Sequence, residues 1–152
     1  MSTRKAIATQ RASTFRMECG VALDIHAPLK TIWALLTNAA DFPRWNSTVT
    51  RLDGEIALGQ RLKLQVPVSK RTFTPRVSEL EAPKHMVWRD GFAPMFCGVR
   101  RFDLTEKPGG VTTFEMREVF SGLMLPMIRG SLPDFGPAFE QFAADLKREA
   151  ER

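Results

Sequence analysis

From Phe15 to Ile25 hydrophobic and polar positions alternate. Phe15, Met17, Cys19, Val21, Leu23 and Ile25 fall on one face, and Arg16, Glu18, Gly20, Ala22 and Asp24 on the other. A period of two held this long predicts a strand with one face buried. Ala27-Pro28 ends it, and the proline suits the first turn of a helix whose apolar stripe, Ile32, Trp33, Leu35 and Leu36, runs to Thr37. The turn-prone stretch Asn38–Asn46 predicts one or two further helical turns. Strands are then expected at Thr48–Asp53, Arg61–Val66, Arg71–Glu81, His85–Asp90, Cys97–Thr105 and Val111–Ser121. Pro75 predicts a bulge or interruption inside the third of these. Glu106-Lys-Pro-Gly-Gly110 predicts a hairpin, its glycines placed where positive φ is needed. Phe135, Phe139, Phe142, Ala143 and Leu146 recur at helical spacing in the last segment, Leu132–Arg152. Gly136-Pro137 there predicts an uninterrupted helix from near Pro137. Short connections between the later strands favour an antiparallel sheet, and the long helix must bury its Phe stripe against a curled one. The fold class is α+β.

The 152 residues fit one domain, and a hydrophobic share of 43% with 26% charged fits a soluble globular chain. The longest strongly apolar stretch, Leu123–Ile128, is far short of the about 20 residues a spanning helix needs, so no integral membrane segment is expected. The basic N-terminus lacks the apolar core of a secretory signal, and the expected location is cytoplasmic. Of the net charge of +5, Arg4, Lys5 and Arg11 contribute three, which leaves about +2 for the rest. Residues 1–13 are therefore expected to be a flexible basic tail, and 14–152 the domain. Without a dense Lys/Arg run or a recognition-helix pattern, no nucleic-acid partner is expected.

Strict alternation pairs polar residues with apolar ones. Asp90 travels with Trp88, Arg100 with Phe102, and Glu118 with Phe114, Met116 and Phe120. His26 and His85, the only histidines, lie on separate elements, and neither CxxC nor HxxxH occurs, so no metal site is expected. Neither histidine is placed to activate Cys19 or Cys97, and no Gly-x-Ser-x-Gly elbow is present.

Several strings carry a resemblance. Ile25-His-Ala-Pro28, Ile32-Trp-Ala-Leu-Leu-Thr37 and Asp41-Phe-Pro-Arg-Trp-Asn46 resemble the opening of the START-like (SRPBCC, Bet v 1-like) superfamily. Gly54, Leu58-Gly59, Val87-Trp88-Arg89, Gly98-x-x-x-Phe102 and Glu118-x-Phe120-x-Gly122 are similar to its bacterial polyketide cyclase/dehydrase and lipid-transport-like branch. The resemblance spans roughly residues 14–150. It implies a helix-grip fold: a curved seven-stranded antiparallel sheet around the C-terminal helix, two short helices after strand 1, and a cavity between sheet and helix. In the implied strand order the last strand separates Cys19 from Cys97 by about 10 Å, so both are expected as free thiols.

Within such a cavity, Arg100, Asp90 and Glu118 would hold the polar end of a ligand, and Trp88, Phe102, Phe114, Met116, Phe120, Phe139 and Phe142 its apolar body. The same three charges also read as a structural ion pair at the sheet's rim, or as solvated ends where the strands leave the core. Phe42 and Trp45 either gate an entrance or close the end of the core. Leu123, Met124 and Met127 either form an adaptable apolar flap at that entrance or begin the C-terminal helix. Relatives often carry histidine where Arg100 stands; arginine is no ordinary acid or base near neutral pH, which favours anion binding. The function expected first is binding of a small lipid-, polyketide- or isoprenoid-like molecule by a monomer or homodimer, without cofactor. The alternative is a cyclase/dehydratase in which Glu118 or Asp90 moves protons. A third is partner binding through an exposed apolar patch.

Overall fold

A computed structural model describes residues 6–132 and 134–152. Eight strands and four α-helices follow in chain order: β1 Thr9–Ser13, β2 Arg16–Ile25, α1 Leu29–Leu36, α2 Phe42–Trp45, β3 Arg51–Asp53, β4 Lys63–Gln65, β5 Arg76–Glu81, β6 His85–Phe92, β7 Phe96–Lys107, β8 Val111–Ser121, α3 Leu125–Ile128 and α4 Phe135–Ala150. Single 3₁₀ turns, Ala39–Asp41 and Arg129–Ser131, precede α2 and follow α3. The α+β helix-grip arrangement is as the sequence predicts.

The sheet differs from the expected one. Six strands, not seven, form it in the order β1-β2-β8-β7-β6-β5, all antiparallel, and β3 and β4 pair separately with each other. Between β4 and β5 the chain carries Pro67 and Pro75, which donate no ladder hydrogen bond. Isolated bridges, Leu64 to Phe73 and Arg61 to Arg76, and hydrogen bonds between Val77 of β5 and the Gly59 amide and Gln60 carbonyl stand in place of a continuous β4–β5 ladder. Pro75 ends the irregular stretch, and β5 starts at Arg76 rather than Arg71.

The second correction is at the N-terminus. Residues 9–13, assigned to a flexible tail, are strand β1, paired with β2 from Thr9–Gly20 to Ser13–Arg16 across the two-residue turn Thr14-Phe15. Its five residues are all exposed, so no hydrophobic alternation announces it. Backbone pairing and two side-chain ties hold it instead: Gln10 Nε2 donates to Asp134 Oδ1 at 2.9 Å, and the Arg129 guanidinium donates to the carbonyls of Ser13 and Thr14. Residues 1–5 of the expected tail lie outside the described residues.

Helix α4 lies against the sheet's concave face. Asp134 caps it by accepting from the Gly136 amide at 3.1 Å. Its Phe142 sits among Phe42, Trp45, Phe102 and Phe114, ring centroids 6.0–6.2 Å away. On the same helix Asp145 is buried and fully engaged. It accepts from the Ser47 amide (2.7 Å) and hydroxyl (2.6 Å), from Gln141 (2.8 Å) and from Arg148 (2.9 Å). Burial alone would push its carboxyl pKa up, but the Ser47, Gln141 and Arg148 donors hold it below the usual carboxylate range.

Asp145 therefore fastens α4 to the loop after α2. Asp145→Ala is expected to cost on the order of 3 kcal/mol in a denaturant titration at pH 7. Because the folded pKa is depressed, this stabilisation is complete above the unfolded value of about 3.9 and fades as pH falls through the folded one. The gap between wild type and variant should narrow under acid.

Candidate ligand site at the open end of the sheet

Alternation carries Trp88, Asp90, Arg100, Glu118 and Phe120 to one cavity of about 80 Å³, as strands β6, β7 and β8 run side by side there. Trp88 opposes Arg100, and Arg100 opposes Glu118, directly across the ladder. Arg100 Nε donates to Glu118 Oε2, and each side chain is only 13% exposed. The guanidinium lies over the Phe139 ring, 5.2 Å from its centroid. Among the described residues only Nε of Arg100 has a hydrogen-bond partner, so its two terminal nitrogens keep donors for another acceptor.

Asp90 reaches the same cavity but does not join the pair. Its carboxylate accepts from the Thr74 amide at 3.1 Å and the Gly91 amide at 2.8 Å, tying β6 to the irregular segment before β5. The opposite wall is aromatic: Phe120 stacks on Phe96 (5.9 Å) and on Phe135 (5.3 Å). Gly98, opposite Phe120, leaves room for that ring; a Cβ there would stand 3.2 Å from it. The Trp88 indole N–H is buried at this wall without an acceptor among the described residues.

Five expected lining residues lie elsewhere. Phe102, Phe114, Met116, Phe139 and Phe142 are not at this cavity; they fill the core beside it, and Met116, Phe139 and Phe142 border a crevice of about 20 Å³ on the helix side of Arg100. Phe42 and Trp45 are no entrance. Both are buried with rings 4.8 Å apart and close the core around Phe142. Leu123 and Met127 are exposed at the single-turn α3, whereas Leu125 points into the core; Leu123–Ile128 is therefore neither a flap over this cavity nor the first turn of α4. Phe92, two residues beyond Asp90 in the same alternation, is 71% exposed. Gly91 before it has φ +83° and turns the strand end away from the core. Reasoning by alternation missed Arg71, Phe73, Phe96 and Phe135, which also line the cavity. The first two sit on an irregular connection that no periodicity describes.

Elsewhere, Cys19 and Cys97 are buried free thiols, and burial pushes the Cys19 thiol up to about 11. His85 is held between Glu79 (2.8 Å) and Asp103 (2.6 Å), far from His26 in the chain. Its pKa is raised, chiefly by the Glu79 contact.

A family model described as polyketide cyclase / dehydrase and lipid transport matches residues 18–151. The chain belongs to that family. No curated protein matches it in sequence. Among solved structures, a START superfamily protein from Mycobacterium smegmatis superposes with a TM-score of 0.65 at 15% identity, over 88% of this chain and 97% of that one. Norcoclaurine synthase from Thalictrum flavum gives 0.66 at 12% identity, over 95% and 99%. The di-domain ARO/CYC BexL from the BE-7585A biosynthetic pathway gives 0.64 at 18%, over 92% of this chain and 52% of that one. At these identities the likeness is one of fold. In this member of the polyketide cyclase/dehydrase and lipid-transport family, the observed cavity is small. A water needs roughly 10–15 Å³ of such space, so about 80 Å³ holds several waters or one end group.

Because Arg100 and Glu118 are both largely buried, removing one strands the other. Arg100→Leu is expected to lower stability by about 2–3 kcal/mol, and Arg100→Leu with Glu118→Leu to recover all but about 1 kcal/mol of that. Urea titration of the two single variants and the double variant measures the coupling.

Proposed function

We propose that this protein binds a small amphipathic molecule, and that Arg100 takes its anionic or carbonyl end. The observation carrying this reading is a largely buried guanidinium with unused donors at the wall of a mainly apolar cavity. Glu118 fixes Arg100 through Nε and leaves the terminal nitrogens for the ligand, a division that suits an oxygen-bearing end group. Arg71, at the same cavity, adds a second positive charge. Trp88, Phe96, Phe120 and Phe135 supply the surface for the adjoining apolar part. A lipid-, polyketide- or isoprenoid-like body is larger than the enclosed space. It would lie across the open mouth, beside Val66 and Phe73.

Binding is favoured over proton transfer by the state of the two carboxylates. Glu118 accepts from a guanidinium and Asp90 from two backbone amides, so the protein itself already engages both as acceptors. A cyclase of this design would need one of them released. Family membership is compatible with either use, since this fold carries many chemistries.

Paired probes test the reading. The anionic dye 8-anilinonaphthalene-1-sulfonate and its neutral relative N-phenyl-1-naphthylamine are titrated into wild type and the Arg100→Leu/Glu118→Leu variant. The expected result is at least a tenfold rise in Kd for the sulfonate, about 1.4 kcal/mol, with the neutral dye little changed. Equal effects on both dyes, or on neither, would remove Arg100 as the anchor.

A further inference from the structure

Three turns meet at one end of the sheet. The Gly122 amide donates to the Phe15 carbonyl (3.1 Å), Leu123 to Pro94 (2.9 Å) and Met124 to Met95 (2.9 Å). This brings together the β1–β2 turn, the β6–β7 turn and the connection into α3. Each turn presents a large apolar side chain to solvent: Phe15 is 51% exposed, Phe92 71%, Leu123 59% and Met127 81%. Soluble domains seldom gather such side chains at one tip without a use for them.

The three connecting segments themselves carry charge of one sign. Residues 11–16, 91–96 and 121–131 contain Arg11, Arg16 and Arg129 and no Asp or Glu. Arg129 donates through Nη2 to the neutral carbonyls of Ser13 and Thr14 and forms no ion pair among the described residues. Of the acids beside these segments, Glu18 is shared between Arg16 (2.7 Å) and Arg117 (3.0 Å), and Asp90 accepts from the backbone amides of Thr74 and Gly91.

We propose that this end docks on an anionic lipid surface, with Phe15, Phe92, Leu123 and Met127 entering the headgroup region and the arginines meeting lipid phosphates. Protruding apolar tips inside a basic collar are the arrangement that interfacial membrane binding uses. Four side chains of up to about 200 Å² each, exposed by half or more, present on the order of 500 Å². That is less than the ~800 Å² per partner of a stable protein interface, and the tips project from turns rather than line a groove. The docking end adjoins the cavity, since Phe92 pairs with Phe96, and Gly91 and Phe96 line it. Docking does not depend on the ligand reading. It involves none of Arg100, Glu118 or Trp88 and is measured on the protein without ligand.

Co-sedimentation with vesicles tests it, using phosphatidylglycerol and phosphatidylcholine at 1:1 against phosphatidylcholine alone. The wild type is expected to partition at least tenfold more onto the anionic vesicles, and to be released from them by 0.5 M NaCl. Phe92→Ser with Met127→Ser, both on exposed side chains, is expected to reduce partition at least tenfold without changing Tm. Equal partition of wild type and variant, or none onto either vesicle, would overturn the proposal. So would a wild-type dimer, seen by sedimentation without vesicles, that the same substitutions dissolve, because the tip would then be a contact between two copies.

Discussion

Phe142 is the point around which the molecule closes. One ring on α4 meets Phe42 and Trp45 from the α2 turn, Phe102 from β7 and Phe114 from β8, so it joins the first helical segment, the sheet and the last helix in a single contact set. Rings at 6.0–6.2 Å in stacked and tilted geometries leave little free space, and interiors packed this densely transmit any change in volume to their neighbours. With that half of the interior filled apart from a crevice of about 20 Å³, the cavity lies toward the other end, where α4 begins and the strands carry Gly98, Arg100 and Glu118. There a second aromatic group, Phe96, Phe120 and Phe135, walls the cavity instead of filling it.

This division explains which residues the sequence could place. Period-two alternation sorts side chains into inward and outward sets but says nothing of position along the strand. Trp88, Asp90, Arg100, Glu118 and Phe120 were assigned to the interior and share the cavity. Phe102, Phe114 and Met116, one or two steps further along the same strands, were assigned to it by the same argument and turned out to be packed core. Distance from Phe142 separates the two groups, and only the folded chain holds that information. Arg71 and Phe73 reach the cavity from a connection without period. Strand β1 escaped notice because pairing, not burial, holds it in place.

Asp90 shows how alike chemistry diverges on one wall. Its carboxylate and that of Glu118 face the same small space. One is consumed by the backbone of the segment that replaces a regular β4–β5 ladder, and the other positions a cation. A broken ladder leaves amides such as that of Thr74 without strand partners, and a side chain had to supply what a neighbouring strand would have given. The irregularity that splits the sheet and the loss of Asp90 as a free acid are thus one event.

Strand β1 has a consequence of its own. Without it, Arg16–Gly20 of β2 would join Val21–Ile25 in an outermost strand ten residues long, its amides and carbonyls unpaired on that side. Such an edge is a template onto which another chain can add. Thr9-Gln-Arg-Ala-Ser13 covers it with a short strip that is polar or small at every position and includes an arginine. A segment contributing nothing to the core thereby halves the open edge, and removing it would lengthen the strip available for strand addition from five residues to ten.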